Sequence, residues 1–209
     1  MAKPFNTLTA IAAPIMRENV DTDVVIRINR LVGNSIRGTL GKWAFESLRY
    51  LPDGSENPGF VLNREPYRAA EVLVTGPNFG CGSSREGAVW ALAEQGIRAI
   101  IGSSFGDIFF ANCFQNGVLP IIVDKALVEK IAGEIEATQG AGRVGIDLEA
   151  QTITTPSGAT HTFTIDPRRK AGLLAGLDEI MLTLQRDGEI RAFQAADRKR
   201  RPWIYLEQA

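Results

Sequence analysis

An α/β fold on a parallel or mixed sheet is what this sequence predicts. Three observations predict it. Between residues 69 and 124, strand-like and helix-like segments alternate as strand, helix, strand, helix, strand. The strand-like segments are continuously apolar, as strands covered on both faces are. The chain has 209 residues, 44% hydrophobic and 22% charged, which is enough for one sizeable globular core.

Each element has its own signal. "LTAIAAPI" (8–15) reads as a short apolar strand with a closing proline. "ENVDTDVVIRINRLVGNSIRGTLG" (18–41) is polar and glycine-punctuated, a loop with short turns. "KWAFESLRYL" (42–51) reads as a short helix with Trp43, Phe45, Leu48 and Leu51 near one side. "PDGSENPG" (52–59) is a turn by its proline and glycine content. Strand 69–76, helix 83–96, strand 97–102, helix 103–117 and strand 118–124 follow, with Gly96 ending the first of these helices. "KALVEKIAGEIEAT" (125–138) repeats Leu127, Ile131 and Ile135 at helical spacing. Residues 143–166 alternate with turn signals, as a β-hairpin region does. From Pro167, which suits the first turn of a helix, the pattern is helical again as far as a basic "DRKRRP" end read as solvated.

Composition excludes several classes of function. A net charge of −1 leaves no basic footprint for nucleic acid or a membrane surface. No apolar run approaches the ~20 residues of a spanning helix, and "MAKPFNTLTA" has no secretory core. Cys81 and Cys113 are the only cysteines, which argues for free thiols in the cytoplasm. His161, in the alternating "ATHTFTI", reads as a structural or exposed strand histidine, and on that reading acid–base chemistry must use another group. Two cysteines and one histidine are also a poor ligand set for an iron–sulfur or zinc site.

The chemistry concentrates in "NFGCGSSREGAVWAL" (78–92). One reading is a capping box, in which Ser83 accepts from the N–H of Glu86 and Glu86 reaches back. "SFGD" (104–107) has the same arrangement. Another reading is an anion pocket. Gly80 and Gly82 permit a sharp turn, the helix N-terminus offers N–H groups and partial positive charge, and Arg85 can grip a carboxylate with two parallel bonds. Ser84 adds a hydroxyl. Such a pocket falls at the end of a strand, where open α/β sheets bind ligands. Backbone N–H groups that stabilise an oxyanion would also let a serine take a proton from carbon.

Several blocks, in order, resemble a known family. "VDTDVVI", "NPGFVLN", "NFGCGSSRE", "GSSFGDIFFANCFQNGVLPI", "IDLEAQ", "FTID" and "GLDEIMLTLQ" look like the small subunit of 3-isopropylmalate dehydratase, which corresponds to the swivelling C-terminal domain of aconitase-type hydro-lyases. The resemblance implies an α/β fold made of a single swivelling β/β/α domain with peripheral helices. Residues 1–165 would form its core and 166–209 a C-terminal helical extension. It implies a partner, the large subunit, which holds a 4Fe–4S cluster; none is bound by this chain. Matched to the motif, Ser83 is the base that removes the carbon-bound proton. Ser84 and Arg85 bind substrate carboxylate, Arg37 in "IRGTLG" contacts it as well, and Asp23 lies in a polar network at the edge of the site. The implied reaction interconverts 2-isopropylmalate and 3-isopropylmalate by dehydration and rehydration, a step of leucine biosynthesis.

Each of these residues also has a plainer reading. Asp21 and Asp23 can cap a turn, Arg37 can be a loop arginine, Cys81 a buried small residue, and Asn112 and Asn116 helix-end hydrogen-bonders. The chain departs from the family pattern too. Gly87 follows the glutamate where histidine is common, and Arg27 and Ile28 replace a proline–lysine pair. These positions bear on the substrate pocket. A related hydratase for citraconate or dimethylmaleate is therefore an alternative, as is a non-catalytic anion-binding domain.

Overall fold

A computed structural model describes residues 3–32 and 37–205. Among these residues, seven strands form one mixed sheet in the order β4-β3-β2-β1-β5-β6-β7. They are β1 (Thr7–Ile15), β2 (Val72–Thr75), β3 (Ala99–Gly102), β4 (Leu119–Ile122), β5 (Arg143–Asp147), β6 (Thr152–Thr154) and β7 (Thr160–Thr162). The helices are α1 (Thr22–Val25), α2 (Glu46–Arg49), α3 (Glu86–Gln95), α4 (Asp107–Gln115), α5 (Lys125–Ala137), α6 (Pro167–Ala175), α7 (Glu179–Leu184) and α8 (Asp187–Arg200).

Strand β1 joins the two halves of the sheet. Its first part, Thr7 to Ile11, pairs antiparallel with β5, and its last part, Ala12 to Ile15, pairs parallel with β2. Pro14 is tolerated there because β5 no longer pairs beyond Ile11, so one edge of the strand needs no N–H donor. Strands β2 and β3 are buried at every residue, so both faces of the sheet are covered at that point. Helix α5 packs across β1, β2 and β3 with Val128, Ile131, Ala132 and Ile135 buried. Pro120 lies in β4, the edge strand, where a missing donor costs nothing.

Several expected elements take a different form. Residues 42–51 do not make one helix: a 3-10 turn at Gly41–Trp43 is separated from α2 by Phe45, whose φ is +58°. Tertiary packing overrides the local pattern here. Phe45 is fully buried, its ring lies 5.7 Å from Phe60 and 6.4 Å from Phe79, and its N–H donates to the Val25 carbonyl at 2.8 Å. Helix α3 starts at Glu86 rather than Ser83, and α4 at Asp107 rather than Ser104. Gly96, with φ +106°, does end α3, and Asp166 caps α6 through the N–H groups of Arg168 and Arg169 with Pro167 in the first turn. The basic end is not simply solvated: Arg201 and Tyr205 both donate to the buried Asp197 carboxylate.

Candidate active site

The parallel strands end side by side, and the loops beyond them keep the pairing going. The Gly76 N–H donates to the Ile15 carbonyl at 3.1 Å, and the Gly80 N–H donates to Val20 at 2.7 Å. Asp21 bridges Cys81, and Phe79 bridges Phe105. The connections after β1, β2 and β3 are thus stitched together at the carboxyl edge of the parallel half, where α/β sheets bind ligands.

Two glycines shape the turn. Gly80 has φ +72° and no room for a side chain, since a Cβ there would sit 2.2 Å from the Phe109 ring. Phe109 is itself buried, edge-on to Phe79 with centroids 5.5 Å apart. Gly82, at φ +87°, has only the Asp21 Cβ at 3.4 Å and the Thr22 hydroxyl at 3.9 Å nearby. Together they turn the chain so that Ser83 and Ser84 emerge exposed ahead of α3.

The structure gathers the five predicted site residues around the start of α3. The Ser83 carbonyl accepts from the Thr22 hydroxyl at 3.0 Å, which fixes the backbone under its side chain. Arg85 occupies the N-cap position without capping, and its guanidinium pairs with the Asp23 carboxylate. The Arg85 side chain is 16% exposed and that of Asp23 is 53% exposed, so the arginine is held in place from the solvent side. The two aspartates divide the readings considered for them: Asp21 caps α1 through the Val24 N–H at 2.8 Å, whereas Asp23 holds Arg85. Arg37 donates to the Asn116 Oδ1 at 3.1 Å, lies 3.8 Å from the Glu86 carboxylate and stacks 4.4 Å over the Trp90 ring.

The capping boxes are not formed. Glu86 is the first residue of α3, and its carboxylate accepts from the Asn116 amide at 2.9 Å instead of reaching back to Ser83. Ser104 likewise does not cap α4; its hydroxyl accepts from the Asn78 N–H at 2.8 Å. Sequence reasoning gave no role to Thr22 or Trp90 and placed Glu86 in a capping box; Asn116 is the helix-end hydrogen-bonder it was read as, donating to the Asn112 carbonyl at 2.9 Å, and it also bridges Arg37 and Glu86. All four lie inside the quoted motifs, but no spacing signals their partners. A cavity of about 530 Å³ opens beside this network, lined by Arg37, Glu86, Gln115, Asn116 and the start of α7 at Asp178, Glu179 and Ile180.

Metal donors are not assembled here. Among the described residues, no group of three or more His, Cys, Asp and Glu side chains could hold a metal ion. Cys113 is fully buried, and burial pushes its thiol well above its ordinary pKa. Cys81 is half-buried rather than buried, with its backbone paired to Asp21. His161 lies on β7, at the far edge of the sheet from β2. Among the described residues, no helix is long and apolar enough to cross a membrane.

The aconitase C-terminal domain model matches residues 2–126 and a LeuD_N model residues 129–167. A model of the C-terminal domain of the 3-isopropylmalate dehydratase small subunit matches residues 179–205. The chain is 49% identical to the 3-isopropylmalate dehydratase small subunit of Gluconacetobacter diazotrophicus, over 95% of each chain. It is 48% identical to that of Neisseria meningitidis serogroup A, over 97% of this chain and 99% of the relative. A crystal structure of 3-isopropylmalate dehydratase from Methanocaldococcus jannaschii superposes with a TM-score of 0.63 at 25% identity, covering 90% of this chain and 99% of that one.

Proposed function

The chain belongs to the family of 3-isopropylmalate dehydratase small subunits, hydro-lyase components with an aconitase C-terminal domain fold, and from that premise we propose how its residues act. Ser83 is the base, and Ser84, Arg85 and Arg37 hold substrate carboxylate. The site is completed by a large subunit, and the assembled enzyme interconverts 2-isopropylmalate and 3-isopropylmalate in the cytoplasm as part of leucine biosynthesis.

The observation that carries this reading is the turn itself. Ser83 is exposed at the carboxyl edge of the parallel strands, its backbone is held by Thr22, and the N-terminus of α3 lies just beyond it. Dehydration removes a proton from one carbon and hydroxide from its neighbour. A serine oxygen takes the proton only if its negative charge is stabilised, and free helix N–H groups with a partly buried guanidinium supply positive potential there. Arg85 shares its fork between Asp23 and the substrate: the aspartate fixes its orientation, and the remaining N–H groups bind carboxylate. Arg37, 3.8 Å from the Glu86 carboxylate, adds a second cation.

This chain's own donors do not fit a 4Fe–4S cluster. Cys113 is sealed in the core, Cys81 has no second thiol grouped with it among the described residues, and His161 is at the far edge of the sheet. We assign the cluster to the large subunit, where it would serve as Lewis acid toward the departing hydroxyl.

A second reading, action on another malate-type acid, is favoured by one observation. The space that a side chain at 87 would need is taken by Leu31, since a Cβ on Gly87 would lie 2.5 Å from its Cδ2. Arg27 and Ile28 are exposed on the same segment. An anaerobic hydration assay of the complex, reconstituted with its large subunit, tests both readings with isopropylmaleate, citraconate and dimethylmaleate. Preference for isopropylmaleate is the expected result. Preference for either other acid establishes the second reading, and hydration of none of them by an assembled, cluster-loaded complex leaves only an anion-binding role.

A further inference from the structure

Helix α3 presents a stripe at Gly87, Trp90 and Glu94, the i, i+3, i+7 spacing of one helix face. Each member of the stripe meets the segment that carries Arg37. Leu31 fills the notch left by Gly87. The Arg37 guanidinium lies over the Trp90 ring. Glu94 accepts backbone N–H groups from three residues just after Arg37: Gly38 at 2.6 Å on Oε1, and Leu40 at 2.5 Å and Gly41 at 3.1 Å on Oε2. Gly41 is pressed against the helix itself, where a Cβ would stand 2.7 Å from the Glu94 carbonyl carbon.

We propose that Glu94 is a positioning residue that sets substrate affinity by fixing the backbone on which Arg37 stands. The inference rests on the reading of Arg37 as a carboxylate-binding group. Glu94 is exposed, so its side chain fills no core space and its loss leaves no cavity. Its effect is directional: one carboxylate ties successive N–H groups with charge-assisted bonds and so prescribes the course of the chain. The Arg37 side chain is 65% exposed and long, and an arginine on an untethered backbone must be ordered by the substrate at an entropic cost. Because α3 also begins beside Ser83 and Arg85, one rigid helix relates both ends of the substrate site.

Glutamine at 94 has one acceptor oxygen and an amide N–H2 that would face backbone donors, so it cannot serve Gly38 and Leu40 together. In the complex reconstituted with its large subunit, assayed with whichever of the three unsaturated acids it hydrates fastest, Glu94→Gln is expected to raise KM about fivefold or more with kcat within about twofold. Glu94→Asp should recover part of the loss. In an Arg37→Ala background, Glu94→Gln should add less than about a twofold change in KM, because the two residues act as one unit. In the isolated chain, the Gly38, Leu40 and Gly41 amides should exchange hydrogen at least about tenfold faster in the Glu94→Gln variant, a readout that needs neither assembly nor activity. If Arg37→Ala raises KM while Glu94→Gln does not, or if the Glu94→Gln effect is the same in both backgrounds, Glu94 does not act through Arg37. Unchanged exchange of the three amides refutes the tether. An Arg37→Ala complex with unaltered KM would instead remove Arg37 from the substrate site, and this inference with it.

Discussion

At Ser83 the separation of stability from chemistry is cleaner than a capping serine would allow. Helix α3 begins at Glu86, so the Ser83 hydroxyl is not spent on the helix end, and only its carbonyl is tied down, by Thr22. Ser83→Ala is therefore expected to change stability by less than about 0.5 kcal/mol, as at an exposed site without special contacts. If Ser83 is the base, the same change removes most turnover while complex assembly persists. Thermal melts and a hydration assay on one preparation check both halves, and retained turnover would withdraw the base assignment. At Arg85 the fork matters more than the charge. Lysine can meet Asp23 or a substrate carboxylate, but it lacks the planar set of donors that holds both. Arg85→Lys should lower kcat/KM by more than about tenfold, or ~1.4 kcal/mol of transition-state stabilisation. Unchanged kinetics would reduce the Arg85–Asp23 pair to a structural contact.

The turn after β2 is an element whose shape depends on two glycines of unequal consequence. Gly80 combines a left-handed backbone with the face of Phe109, and that ring is locked between Phe79 and Phe105. Gly82 shares the backbone angle but has more open space around it. Gly80→Ala is expected to cost about 3 kcal/mol, as overpacking adds to the left-handed strain, whereas Gly82→Ala should cost only about 1 kcal/mol from the backbone alone. Chemical denaturation of the two variants measures the difference; equal losses would mean that the Phe109 ring yields. The connection between β1 and β2 depends similarly on tertiary anchors. Arg30 grips Glu46 with two hydrogen bonds, at 3.1 and 2.6 Å, and stacks 3.6 Å over Trp43. The Glu46 carboxyl is held below its ordinary pKa mainly by its bond to Arg30.

For the molecule as a whole, the core and the site make opposite demands. The sheet is covered at its centre by buried side chains, from Ala12 and Ala13 on β1 through Leu73 and Ile100 to Leu119, and needs no other chain to bury them. The proposed site residues Ser83 and Ser84, in contrast, are exposed, and the described residues group no donors for a metal. The isolated chain is expected to fold cooperatively yet give no dehydratase turnover until the large subunit is added. Two measurements check this: circular dichroism during denaturation, and an assay run with and without the large subunit. Robust turnover by the chain alone would overturn it.

Much was already determined by the sequence alone. The alternation of apolar strands and helices between residues 69 and 124 led to the parallel half of the sheet, since each segment carries its own period and its own stop, as at Gly96. The blocks around "GSSRE" carried the family, because a turn that needs glycine at positive φ and a cation after it leaves a local signature. Other features came only with the tertiary structure. The start of α3 at Glu86 is one of them, and the break at Phe45 and the turning of Glu86 toward Asn116 are decided by partners far along the chain. So are the meetings of Thr22 with Ser83, Asp23 with Arg85 and Arg37 with Asn116, which lie 61, 62 and 79 residues apart. A hydrogen bond between distant side chains imposes no period and no neighbouring residue type on the sequence, so it becomes visible only when the sheet has brought its loops to one edge.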